Sequence, residues 1–406
     1  MPRRVRRGDR PPAPVLYQGI TVPPRNRAAV DPRFPAELRR LRLARGLSLR
    51  ALAALVYQGK SLVHELETGQ AQPTVDITGR LDAALGAGGA LNRLVQAGPE
   101  ISADDQDRLD YVARCPRRAD TATIDALETL LAGQRRLEDS IGAAAVLPAV
   151  RAELDLLTDL VDEAREPIRL RLVDLSGQWA QFLGWLHIAT GEPAAARAWL
   201  GQALEWATEA YNKDMIGTVL SFRGYLAEEQ GQMGSAIGLT RVSLRDPHVF
   251  VGQRAYDQYQ LARALARVGD RTDAVEALAA GDDLAQAAAA YDGVMPPWHY
   301  YRSPAFFALE GGVVYRLLGQ QQPDRSVQAV ELLTSGIEGL PADAQGADWA
   351  GVYLCHLAAA HGQLGDVRTA EEVLERVRAI ARATRSARLT ARVSTTARRL
   401  GLSADT

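Results

Sequence analysis

From Phe34 to about Leu400 the chain keeps the 3.6-residue apolar rhythm of amphipathic helices, with Ala and Leu dominant and no convincing period-2 strand. A longer recurrence lies on top of it. An apolar helix end leads into a Gly turn and then into a helix marked by Ala. The instances are Thr190-Gly191-Glu192 with Ala196, Gln230-Gly231-Gln232 with Ala236, Val268-Gly269-Asp270 with Ala274, Leu318-Gly319 with Ala329, and Leu364-Gly365-Asp366 with Ala370. The five glycines are 40, 38, 50 and 46 residues apart. Gly supplies the left-handed conformation that ends a helix, and a small residue beyond it lets the paired helix approach closely. A helical hairpin repeated at this interval cannot bury its apolar face alone, so it stacks on its neighbours as an α-solenoid.

These spacings exceed the usual tetratricopeptide period. The expectation is therefore all-α, with irregular tetratricopeptide-like hairpins over 121–402; unrelated antiparallel hairpins remain the alternative. A chain of 406 residues is too long for one ordinary core, so two or three domains are expected. No apolar run approaches the length that spans a bilayer. The two cysteines, Cys115 and Cys355, cannot make a disulfide framework, which fits reduced thiols and a cytoplasmic location. Arg3-Arg4 and Arg6-Arg7 imitate a twin-arginine export signal, but the Gly8-Asp9-Arg10-Pro11-Pro12 that follows is no signal-peptide core.

The net charge of -2 hides an asymmetry: residues 1–80 carry fifteen Arg and Lys against six Asp and Glu, and the remainder 32 against 43. A basic end on an acidic body points to a polyanion partner for that end. Residues 1–33, rich in Arg and Pro, are expected to be a disordered arm. Its Arg3, Arg4, Arg6, Arg7 and Arg10 either reach DNA or form a solvated tail. A polar stretch over 98–120, bracketed by Gly98-Pro99 and Cys115-Pro116, reads as a linker.

Between them, residues 34–97 read as five short helices. Pro35 suits a first helical turn, Gly46 ends that helix, Ser48 is a good N-cap for the next, and Tyr57-Gln58-Gly59 is a tight turn. A third helix follows from Lys60 to about Glu67, stopped by Gly69; a fourth spans about 75–85 and a fifth about 90–97. Leu38, Leu41, Leu47, Leu52, Ala53, Val56, Val63, Leu66, Leu81, Leu85, Leu91 and Leu94 supply the expected core.

This segment resembles the Xre-type, phage-repressor-like helix-turn-helix family over about 60 residues. The match lies in Leu38-x-x-Leu41-Arg42, Gly46-Leu47-Ser48, Leu52-Ala53, Val63-x-x-Leu66-Glu67-x-Gly69 and Pro73. The resemblance implies that the third helix enters the major groove of a double-stranded operator, with Lys60, Ser61, His64 and Glu65 toward the bases and Ser48 and Arg50 beside them. Lys60 either reads a base or touches phosphate only. It also implies an ion pair between Arg42 and Glu67, buried between the first and third helices; two exposed charges are the alternative. The turn departs from the family, which has Gly, an apolar residue and Ser where this chain has Tyr57-Gln58-Gly59.

A repressor-type domain followed by helical repeats resembles regulators of high-GC Gram-positive bacteria and, more distantly, peptide-pheromone receptors. The resemblance implies a transcriptional regulator acting as a homodimer, with a peptide, small molecule or protein as effector on the repeats. Candidate ligand contacts are Asn212, Arg223 and Tyr225, with Glu229, and Trp298, Tyr300 and Tyr301 of the aromatic stretch from Met295 to Pro304. Packing is the alternative for those aromatics. No cofactor, metal or catalytic group is expected: Gly86-Ala87-Gly88-Gly89 lacks the strand and Lys-Ser/Thr pair of a phosphate loop, and His356 and His361 miss the i,i+4 spacing of a helical metal site. The competing reading is an interaction scaffold whose solenoid carries the activity.

Overall fold

The structure, a computed structural model, describes residues 29–30, 34–56, 58–69, 71, 73, 75–87, 91, 95–96, 101–342 and 344–402. These form two compact units, Met1–Ala97 and Gly98–Thr406. Among the described residues the chain is helical except for one ladder, in which Ala29–Val30 (β1) pairs antiparallel with Val95–Gln96 (β2).

The first unit holds α1 (Phe34–Ala44), α2 (Leu49–Leu55), α3 (Lys60–Thr68) and α4 (Val75–Leu85). The stops and starts are local chemistry. Gly46 and Gly69 adopt left-handed backbones that end α1 and α3. The Ser48 hydroxyl accepts the Ala51 N–H at 3.1 Å to open α2. Gly59 opens α3 without a side-chain cap, and the backbone N–H of Gln58 donates to Ala53 O at 2.9 Å across the turn. Tyr57 and Leu94 lie outside the described residues. The core is Phe34, Leu38, Leu52, Ala53, Val56, Val63, Leu66, Leu81, Leu85 and Leu91, with Leu41 and Leu47 packed against it. Phe34 seals it at the first turn of α1.

Two expectations change here. Leu91 is helical, but Val95 and Gln96, expected to continue a fifth helix, are extended against Ala29 and Val30. Those partners lie in the stretch expected to be a disordered arm; its five N-terminal arginines lie outside the described residues. A ladder only two residues long carries no readable period, so the pairing is set by tertiary contact rather than local pattern.

The second unit begins where a linker was expected. Ala103–Arg114 (α5) opens with a reciprocal cap in which Ser102 and Asp105 satisfy each other's backbone N–H, and it buries Leu109 and Val112 in the repeat core. Six hairpins follow: α6 (Thr121–Ile141) with α7 (Ala143–Glu163), α8 (Ile168–Ala189) with α9 (Pro193–Glu209), and α10 (Lys213–Glu229) with α11 (Met233–Ser243). Then come α12 (Val251–Val268) with α13 (Arg271–Ala289), α14 (Pro304–Leu318) with α15 (Pro323–Gly339), and α16 (Asp348–Gln363) with α17 (Val367–Thr384), ended by α18 (Ala387–Arg399).

Gly191, Gly231, Gly269 and Gly365 turn their hairpins in the left-handed conformation, as expected. Gly319 does not: its φ is -68°, and it is required for a different reason. A Cβ there would lie 2.4 Å from Ser326 Oγ and 2.9 Å from its backbone nitrogen, so only Gly lets α15 start this close to the end of α14.

The array closes on itself. Trp349 Nε1 at the start of α16 donates to Asp139 Oδ1 on α6 at 2.8 Å, and the Tyr300 hydroxyl donates to Asp139 Oδ2 at 2.6 Å. Gly142, between α6 and α7, has a left-handed backbone and packs on the Thr384 carbonyl at the end of α17, where a Cβ would come within 2.3 Å of the oxygen.

Candidate nucleic-acid interface and a central cavity

On α3 the two faces separate cleanly. Val63 and Leu66 are buried, Leu62 and Glu65 are half-buried, and Lys60, Ser61 and His64 are exposed in the first turn and a half. Arg50 is exposed on α2, and Ser48, while accepting the capping N–H, keeps a hydroxyl proton to donate outward. A cation, a hydroxyl and an imidazole thus share one exposed patch at a helix N-terminus, the end that carries partial positive charge.

Behind that patch, Arg42 Nε and Nη2 bond Glu67 at 2.5 and 2.8 Å, and Arg42 Nη1 donates to Leu47 O at 2.8 Å. The side chains are 10% and 5% exposed, which makes this the buried pair rather than two surface charges. The Glu67 hydrogen bond raises the Arg42 pKa above its ordinary value against the opposing effect of burial. The pair joins α1 to α3 and so fixes the angle at which α3 is presented.

In the repeat unit, the first helices of the hairpins and α18 surround a partly open cavity walled by aromatic and charged side chains. Three of the six tryptophans (Trp185, Trp298, Trp349) and three of the six phenylalanines (Phe182, Phe222, Phe306) line it. Tyr225, Trp298, Tyr300, Tyr301 and Glu229, singled out from sequence, all reach its wall. Two others do not. Asn212 is the N-cap of α10: its Oδ1 accepts the Met215 N–H at 2.9 Å and its Nδ2 donates to Asp174 at 2.6 Å. Arg223, one residue round from Phe222, is absent from the lining.

The aromatic stretch packs between helices, the alternative that sequence left open, and part of it reaches the cavity wall. Trp298 Nε1 donates to Thr218 Oγ1 at 2.9 Å, and His299 stacks on Phe250 at 5.3 Å, which wedges the segment between helices. Arg302 then lies 4.6 Å from the Tyr256 ring. This leaves Tyr300 and Tyr301 at the wall.

Sequence reasoning missed most of the lining, yet a signal was present. The residues six positions before Gly191, Gly231, Gly269 and Gly319 are Trp185, Tyr225, Arg263 and Val313, and all four face the cavity. The residues nine before Gly191, Gly231, Gly319 and Gly365 are Phe182, Phe222, Glu310 and His356, and they face it too. Positions three apart share a helix face, so registering the repeats on their turn glycines exposes the lining.

Its charges are mostly paired. Arg263 bridges Glu228 and Glu310, Arg267 binds Glu228, the Tyr353 hydroxyl donates to Glu310, and Arg388 and Arg392 bind Asp348 and Glu229. Arg388 also donates to the Tyr225 hydroxyl at 3.2 Å and lies 5.2 Å from the Trp185 ring, so α18 is tied to α8 and α10. Burial, with Asp139 next to it, pushes the Glu138 carboxyl up to about 8.

Outside the cavity, Asp257 is fully buried between α10 and α11, taking Ser221 Oγ and Ser243 Oγ at 2.6 Å and Gln253 Nε2 at 2.7 Å. Burial pushes its carboxyl up to about 6 despite these donors. A raised folded-state pKa favours the protonated folded chain, so this group's contribution is full below about pH 4 and is lost as pH rises through about 6. The loss corresponds to roughly 3 kcal/mol at most. Asp257→Asn should therefore gain on the wild type in thermal melts between pH 4 and pH 7; parallel curves would show that the carboxyl titrates normally.

No helix among the described residues is long and apolar enough to cross a membrane. No curated protein matches the chain. Among solved structures it is similar to BtubC (BKLC) from P. vanneervenii, with 17% identity, a TM-score of 0.40, and 59% of this chain and 91% of that one covered. It is also similar to Bacillus thuringiensis PlcR in complex with the peptide PapR7 and DNA, with 14% identity, a TM-score of 0.29, and 74% and 94% covered. TM-scores this low carry no weight for function. Residues 33–94 match a family model described as a helix-turn-helix domain, and α1–α4 are its helices.

Proposed function

We propose that this chain is a sequence-specific DNA-binding regulator that reads an operator through α3 and takes an effector into the cavity of its repeat unit. The observation that carries the first part is the helix-turn-helix match over residues 33–94, joined to an α3 whose buried face is apolar and whose exposed N-terminal face offers Lys60, Ser61 and His64. Lys60 donates to guanine acceptors or phosphate, Ser61 donates or accepts, and Arg50 and Ser48 hold the backbone. One such domain reads a short half-site, so the working form is a homodimer on two half-sites. The second part is supported by a concave cavity walled by aromatic side chains with a few charged groups converging on it.

Selection of genomic fragments on the purified protein, followed by salt-titrated binding to the best fragment, tests the first part. Lys60→Ala/His64→Ala should lower affinity for that fragment by roughly 10- to 100-fold while leaving the thermal midpoint within a degree or two. Binding that is indifferent to sequence and vanishes with salt, equally in both proteins, would overturn the reading.

A further inference from the structure

We propose that the cavity of the repeat unit takes a small molecule with a flat, apolar body and one anionic group, and that the anionic group sits on Arg135. This rests on reading the cavity as an effector site and specifies its chemistry.

Arg135 is the exception among the lining arginines. Arg263, Arg267, Arg388 and Arg392 each hold a carboxylate, whereas Arg135, only 5% exposed on α6, has none among the described residues. Among the described residues its one side-chain hydrogen bond is a long one, from Nη2 to Gln178 O at 3.4 Å, and its guanidinium lies 5.7 Å from the Phe182 ring. Asp139, one helical turn on, is engaged by Trp349 and Tyr300. Burial lowers the Arg135 pKa only to about 10, so the group remains a cation at neutral pH. A buried cation without a counter-charge is costly, and an anion arriving in the cavity removes that cost.

The rest of the wall defines the body of the ligand. Trp185, Phe222, Tyr301, Phe306 and Trp349 present ring faces and edges within one enclosure, with Trp349 6.1 Å from both Tyr301 and Phe306. Such walls favour a flat apolar molecule. An extended peptide fits poorly. Its backbone donors and acceptors need partners, and most lining carboxylates and guanidinia already hold each other.

The test uses the full chain without DNA and two dyes with the same fused-ring body: 8-anilinonaphthalene-1-sulfonate and the uncharged N-phenyl-1-naphthylamine. Wild-type protein should bind one equivalent of the sulfonate with enhanced fluorescence. Arg135→Met should weaken it by roughly tenfold or more, a difference of about 1.4 kcal/mol, while shifting the neutral dye less than about twofold. Arg135→Lys should restore much of the sulfonate affinity. If the Met variant loses its native melting transition, Arg135→Gln serves for the same comparison. Sulfonate binding that is absent from the wild type, or equal in the wild type and the Met or Gln variant, overturns the proposal. Failure of the DNA reading leaves this result intact, because no DNA is present. Dye that binds as described yet leaves operator affinity unchanged counts against the effector reading alone.

Discussion

Arg263→Met is expected to destabilise the repeat unit by about 3–5 kcal/mol. The Arg263 side chain is 6% exposed, and its partners Glu228 and Glu310 are 3% and 2% exposed. Its Nε and Nη2 each reach Glu228 at 3.2 Å, while Nη1 holds Glu310. Burial opposes the charge on Arg263, but Glu228 together with the Tyr256 and Tyr353 hydroxyls outweighs it and holds the guanidinium above its ordinary pKa. In the same way Arg263 and Arg267 overcome burial and keep the Glu228 carboxyl below its usual range. Met fills much of the vacated volume yet leaves two buried carboxylates without their shared cation; among the described residues Arg267 and the Tyr353 hydroxyl are the partners that remain bonded to them. The cost is therefore electrostatic. Arg263→Met combined with Glu228→Gln and Glu310→Gln should recover most of it. Denaturant midpoints of the single and triple variants measure both effects; a single variant as stable as the wild type would show that the pairing contributes nothing.

Glu67→Ala should cost about as much, 3–5 kcal/mol, but in a far smaller unit. The substitution leaves Arg42, 8% exposed overall, with Leu47 O as its remaining partner and removes the only charged tie between α1 and α3 among the described residues. Domains of ordinary stability have only about 5–15 kcal/mol in all. The first unit should therefore be partly unfolded at 37 °C, and operator binding should fall with it. Glu67→Gln keeps one acceptor and should lie between Ala and wild type. The contrast with Lys60→Ala/His64→Ala is diagnostic: those side chains are exposed, so binding should fall without a change in melting. An unaltered Glu67→Ala melting transition would show that the ion pair does not hold α3 in place.

What was legible in the sequence was whatever local chemistry decides. Ser48, Gly46 and Gly69 mark helix ends by capping and by left-handed backbones, and four of the five turn glycines do the same in the repeats. The misreadings share another cause. Val95 and Gln96 are extended because Ala29 and Val30, far away in sequence, pair with them. The polar surface of α5 hides two buried side chains, Leu109 and Val112, which a linker reading overlooks. In the cavity, Trp298, Tyr300 and Tyr301 stood out through unusual composition. Asp139 and Trp349 did not, since they meet across 210 residues and no local pattern announces it. Arg135 looked like any helical arginine; only the missing carboxylate sets it apart from the other arginines of the cavity wall.

The closure of the hairpin array has a further consequence. In an open stack each repeat touches only its neighbours, so the terminal repeats have one interface instead of two and fray first. Here α6 meets α16 and α17 through Trp349, Asp139, Gly142 and Thr384, so the first hairpin also has the last as a neighbour. The array then has no weak end from which to unzip. Opening any one hairpin breaks contacts on both sides, and protection from hydrogen exchange should be level around the circle rather than falling toward the chain ends.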